Sequence, residues 1–175
     1  MKAGLSAQLQ QYWLRYRDDG ILLDTNLLLL LWLAQFDPSL VGGKRLAKYT
    51  SQDVQLLAAY VHKFSRILTT HTILTETSNL AALVLTGQRK REFFTRLFPL
   101  FVINPPPKFQ RCPVEGLTLD AGTFVDLGFT DATLVATAET PHFLLTDDLD
   151  LYLAAQSRGA PTVNFTHMRE AVGIV

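Results

Sequence analysis

The segment ILLDTNLLLLLWLAQF, residues 21–36, constrains the fold of this chain more than any other. Ile21-Leu22-Leu23 is too short and too greasy for anything but a buried strand. It runs into Asp24-Thr25-Asn26, and the stretch that follows is apolar nearly all round. A helix without a polar face has to be buried. The competing reading is a membrane span, which needs ~20 apolar residues. The uninterrupted run 27–34 is far shorter than that, with Asp24 and Asn26 directly before it. A buried strand, an acid at its end and a buried helix therefore form the nucleus on which the rest must pack.

Composition bounds what such a nucleus can serve. Of the 175 residues, 48% are hydrophobic and 18% charged, which supports a real core and excludes a disordered or low-complexity chain. Lys plus Arg is 16 and Asp plus Glu is 16, so the formal net charge is zero. That argues against a generic basic nucleic-acid binder driven by counterion release over its whole surface. A polyanion would have to be held by local patches or by metal ions. Cys112 is the one cysteine, which excludes an internal disulfide and a Cys-based zinc site and fits a reducing compartment. The first twenty residues carry glutamines and charges where a secretion signal is greasy. The expectation is a cytoplasmic chain with no membrane partner.

Hydrophobic periodicity predicts a single domain over 1–175: an N-terminal helical segment 1–19, a core 20–165 and a tail 166–175. The first helix covers 6–17, with Leu9, Trp13 and Tyr16 on one side. Strands are expected at 21–23, 66–70, 100–103, 142–146 and 161–165. Helices are expected after Asn26 and over 51–64, 71–85, 88–98, 117–127, 130–139 and 148–157. Pro105-Pro106-Pro107 reads as a stiff linker into a loop ending near Gly116. Strands alternating with helices imply an α/β fold, a three-layer α/β/α sandwich around a mostly parallel sheet.

In such a sheet, ligands bind in the crevice beyond the carboxyl ends of the strands. Asp24 ends the first strand, Asp131 opens a helix, and Thr146-Asp147-Asp148-Leu149-Asp150 follows another strand. Glu76 lies among Ile73, Leu80 and Leu83 at helical spacing, and no Lys or Arg falls between Leu68 and Gly87 to neutralise it. Each acid also has a plainer reading. Asp24 and Asp148 suit helix caps, Asp131 suits the positive end of a helix dipole, and Glu76 can lie at the edge of its stripe and reach solvent. Taken together, four carboxylates in one crevice repel one another, and a hard divalent cation such as Mg²⁺ or Mn²⁺ relieves this. Such a site suits phosphodiester hydrolysis. The four histidines are scattered and most read as half-buried imidazoles, while His71, one and a half turns before Glu76, is a minor candidate for reaching substrate.

These residues resemble the PIN-domain nucleases, a family that shares its fold and acidic site with flap nucleases and includes toxins of bacterial toxin–antitoxin pairs. LLDTNLLL is similar to the family's first motif, TILTETSNLAAL to the segment bearing its helix glutamate, FTDATLVATAE to its third motif and LLTDDLDLYLAA to its fourth. The resemblance implies a metal-dependent endoribonuclease with RNA as substrate. It assigns Asp24, Glu76, Asp131 and Asp148 as catalytic metal-site carboxylates and Asn26, Thr146 and Asp150 as supporting groups. Which of Asp147 and Asp148 faces the metal stays open at this level. The resemblance also brings an antitoxin-like inhibitor and a homodimer into view as partners. Relative to the compact toxin members, the chain adds its N-terminal helix, the stretch 37–50 and the loop 105–116.

Arg89, Lys90 and Arg91 are the expected substrate-binding group, because they follow the Glu76 helix. Phe93 and Phe94 beside them read as core. An alternative function is a noncatalytic PIN-like module that binds RNA or protein without cutting. An aspartyl-phosphate phosphatase fits poorly, since the place of its second acid is Asn26, which cannot act as general acid. The sequence predicts that Asp24→Asn abolishes Mg²⁺- or Mn²⁺-dependent cleavage of single-stranded RNA and leaves the fold intact. Cleavage assays beside circular dichroism check both halves.

Overall fold

The structure, a computed structural model, describes residues 2–102, 109–114, 117–139 and 142–174; the side chains of 2, 3, 44 and 98–102 lie outside that description. Helix α1 (Lys2–Tyr16) leads into β1 (Ile21–Leu23), α2 (Thr25–Phe36), short 3-10 turns at Pro38–Leu40 and Lys44–Leu46, and α3 (Ser51–Val61). Then follow β2 (Ile67–Thr69), α4 (His71–Val84), α5 (Gly87–Val102), β3 (Phe109–Arg111), α6 (Ala121–Leu127) and α7 (Phe129–Glu139). The chain closes with β4 (Phe143–Thr146), α8 (Leu149–Ser157), β5 (Thr162–Asn164) and α9 (Phe165–Ala171).

All strand pairings are parallel, in the order β3-β2-β1-β4-β5, and the fold is an α/β/α sandwich. The chain winds outward from β1 through β2 to β3, then returns to the other side of β1 for β4 and β5. The reversal lies between β1 and β4, so the crevice at a topological switch point opens beyond Leu23 and Thr146. β1, β2, β4 and β5 are buried along their whole length, which is why each reads as a continuous apolar or Thr-rich run instead of an alternating one.

Local chemistry sets the element boundaries. Gly20 turns the chain from α1 into β1 at φ +110°, and a Cβ there would lie 3.0 Å from the Arg66 carbonyl oxygen. Thr50 and Asp53 form a reciprocal capping box on α3, and Thr70 caps α4. α2 is swallowed as its sequence demands, with Leu27, Leu28, Leu29, Leu30 and Leu33 wholly buried. Phe143 on β4 lies in a nest of rings formed by Tyr12 and Tyr16 of α1 with Tyr60 and Phe64. The N-terminal helix is thereby packed onto the core.

Four expectations change. No strand begins at Leu100, because α5 continues through Val102; a short apolar run does not by itself distinguish helix from strand. The edge strand is Phe109–Arg111, inside the expected loop; it is short and half-exposed, and its pairing with β2 is made by backbone groups. Ile103, Pro105–Pro107 and Gly116 lie outside the described residues. The segment 166–175 is not a simple tail: Asn164 caps α9, and Arg169 donates to the fully buried Asp53 carboxylate at 2.5 Å. Finally, His62, His71 and His167 are exposed, and only His142 is half-buried. No described helix is long and apolar enough to cross a membrane.

Phe143→Ala leaves a cavity in the ring nest and should cost ~3–5 kcal/mol of stability. A lowered urea midpoint with an unchanged m-value is the expected result.

Candidate functional site

Asp24 stands at the switch point, as the last residue before α2, and its carboxylate is 2% exposed. Both oxygens are engaged. Oδ1 accepts the Leu27 N–H at 2.7 Å, while Oδ2 accepts the Thr146 hydroxyl at 2.6 Å and the Asp147 N–H at 2.7 Å. The bonds to Oδ2 cross from β1 to the end of β4 and so lock the two central strands at their carboxyl ends. Burial pushes Asp24 up to about 6, against those hydrogen bonds, which favour the charged form.

Thr146 and Asp148 extend this network. The Thr146 hydroxyl accepts the Asp148 N–H at 3.0 Å while donating to Asp24, and so links the two acids. Asp148 caps α8, its Oδ1 accepting from Asp150 N–H at 2.8 Å and Leu151 N–H at 3.0 Å. Asp150 is exposed in the first turn of that helix and contributes its backbone to this cap.

Glu76 reaches the same region from α4. Its Oε2 accepts the Thr25 hydroxyl at 3.2 Å, one residue beyond Asp24. The stripe around it is only partly buried: Ile73 is enclosed, whereas Leu83 is 73% exposed, so Glu76 sits at the border of the core. Thr25 is a contact that sequence reasoning missed, although its place beside Asp24 was a signal. A second unforeseen link is the hydroxyl chain Thr70–Thr72–Thr133, at 2.7 and 3.0 Å, which ties α4 to α7.

Asp131 lies in the first turn of α7, half-buried, and is pushed up to about 7. Burial is the largest cause, followed by the charges of Asp148, Asp24 and Glu76. Four acids from separate segments therefore share one electrostatic neighbourhood. Asp147 does not face it in the same way: its buried carboxylate accepts from Tyr49, Lys48 and Thr166. Of the two neighbouring acids, Asp148 is the one coupled to Asp131. Asn26 is half-buried in the first turn of α2.

The basic group is elsewhere. Arg89 pairs with Asp37, and Arg96 lies 5.3 Å from the centroid of the Phe36 ring, both at the far end of α2. Thirteen helical steps separate Asp37 from Asp24, a distance of roughly 20 Å. Arg89 is thus out of reach of the acids; Lys90 is half-buried and Arg91 exposed. Phe93 is core as expected, and Phe94 packs against it.

The donors around the acids are carboxylates and hydroxyls, the hard oxygen set that Mg²⁺ and Mn²⁺ take. Among the described residues, no group of three or more His, Cys, Asp or Glu side chains is arranged to hold a metal ion as it stands. Comparison with known proteins yields no matching family model, curated protein or solved structure.

Both acidic findings have consequences for mutagenesis. An amide at position 24 cannot accept on both sides, so Asp24→Asn leaves a buried donor unmatched at ~1–3 kcal/mol. The fold-sparing substitution is at Asp131. The folded chain holds this proton more tightly than the unfolded one, so stability falls as pH rises from 3.8 to about 7, and the penalty is complete above that window. Asp131→Asn should therefore raise Tm at pH 8 in metal-free buffer, by ~2–4 °C per kcal/mol relieved. The gain should shrink toward pH 5, which thermal melts across that range would measure.

Proposed function

We propose that this chain is a metal-dependent endoribonuclease of the PIN type, hydrolysing RNA phosphodiester bonds with Mg²⁺ or Mn²⁺. What supports the reading is geometry at the ends of β1 and β4: Thr146 bonds both Asp24 and the Asp148 N–H, and Glu76 accepts from Thr25 beside Asp24, with Asp131 raised by burial and by the charges of all three acids. A binding surface gains nothing from such repulsion, whereas a bound cation would offset it. Asp24, Asp131 and Asp148 are the groups that would hold the ion, with Glu76 beside them. When bound, the ion supplies Lewis-acid stabilisation of the charge that develops on the phosphate.

The chain's own residues do the rest. Asp24 is kept in one orientation by Thr146 and the Asp147 N–H. Glu76, partly exposed and held by the Thr25 hydroxyl, is placed to orient the attacking water and take its proton. Asp131, pushed up to about 7 by burial and the neighbouring acids, would have to release a proton to hold a cation, so metal affinity would weaken on acidification. Lys90 and Arg91 serve phosphates away from the reacting one. Their contribution makes binding of RNA sensitive to salt.

A second reading, a noncatalytic PIN-like module that binds RNA or protein, draws on one observation. Both oxygens of Asp24 already accept hydrogen bonds from the protein. Calorimetric titration with Mn²⁺ separates the two readings: proton release in buffers of different ionisation enthalpy supports the nuclease, and no binding favours the module.

Asp131→Asn and Glu76→Gln should each lower Mn²⁺-dependent cleavage of single-stranded RNA by about a hundredfold or more. Both variants should stay folded by circular dichroism. Wild-type rates from folded Asp131→Asn would overturn the assignment.

A further inference from the structure

Asp147 is the acid that the proposed chemistry leaves unused, yet its carboxylate has three partners. Its side chain is fully buried. Tyr49 donates its hydroxyl to Oδ2 at 2.8 Å, the Lys48 ammonium stands 2.8 Å from the same oxygen, and Thr166 donates to Oδ1 at 2.7 Å. Lys48 and Tyr49 belong to the stretch 37–50 and Thr166 to α9, so parts of the chain far from β4 converge on one carboxylate. A buried charge is tolerated when paired and hydrogen-bonded, and this one is both.

The backbone of the same residue faces the site. Its N–H donates to Asp24 Oδ2 at 2.7 Å, and the next N–H, that of Asp148, donates to the Thr146 hydroxyl, which itself bonds Asp24. The turn between β4 and α8 thus fixes Asp24 from its backbone and carries Asp148 as its last residue. Displacement of such groups by about 1 Å is enough to cost a hundredfold in rate.

We propose that Asp147 is a positioning residue: its carboxylate, paired with Lys48 and bonded by Tyr49 and Thr166, pins the β4–α8 turn so that Asp24 and Asp148 keep the geometry the site needs. Its consequence for catalysis rests on the nuclease reading; the pinning itself does not. The stretch 37–50 and α9 then act as a buttress behind the catalytic turn. Outer-shell partners of metal-site carboxylates set affinity and rate in this way.

The test uses the full chain with Tyr49→Phe, Lys48→Met and Lys48→Arg. Lys48 is half-exposed, so its substitution spares the core even where Tyr49→Phe does not. Hydrogen exchange at the Asp147 and Asp148 amides should quicken by about tenfold in Tyr49→Phe and Lys48→Met, with the Leu22 and Leu23 amides unchanged. In cleavage assays kcat should fall and the Mn²⁺ requirement rise by about 10- to 100-fold at constant KM for RNA. Lys48→Arg should restore most of both. Wild-type exchange at both amides in Tyr49→Phe and Lys48→Met overturns the proposal whatever the activity. If the wild type neither binds Mn²⁺ nor cuts RNA, the nuclease reading fails, while quickened exchange confined to these amides still upholds the anchor.

Discussion

A single buried carboxylate joins the scaffold to its site. Asp24 accepts a helix-capping N–H from Leu27 and two donors from the end of β4, so the same side chain starts α2 and clamps the central strands together. Removing a carboxylate from water is costly, and burial raises its pKa accordingly. Three short bonds from pre-placed donors offset much of that cost. They also leave the group with little freedom to move.

Around this clamp the acids divide their labour by where they stand on helices. Asp24 and Asp148 are N-caps, and Asp131 lies in a first turn, so each meets the positive end of a helix dipole. The fold thereby gathers negative charge with partial charges of its own backbone. That compensation is incomplete, as the rise of Asp131 to about 7 records. Asp147 is the exception, because its compensation is a full charge on Lys48. Asp24 thus caps a helix and clamps two strands with one carboxylate.

Much of the fold was legible in the sequence for a plain reason. β1, β4 and α2 are buried on all sides, and burial on all sides writes itself as an unbroken apolar run. Caps at Asp24 and Asp148 were legible because short polar side chains mark helix starts. β3 was not, since an edge strand of three residues is held by backbone bonds to β2 and leaves almost no pattern of its own. The end of α5 and the helix α9 were misread for a related reason. The end of α5 is a short apolar run and α9 only seven residues of mixed character, and neither is long enough to carry a period from which to tell its class.

The sequence by itself determined the nucleus 21–36, the alternation of strand and helix, and the positions at which acids end strands or open helices. Those follow from solvation, which each residue carries with it. Only the tertiary structure decided which acids meet. Glu76 joins Asp24 through the Thr25 hydroxyl, Asp147 turns to Lys48 and Tyr49, and Arg89 is drawn to Asp37 at the opposite end of α2. Coulomb forces and hydrogen bonds act over a few ångströms in space. Residues 50 or 100 positions apart acquire such partners only when the sheet brings their elements side by side.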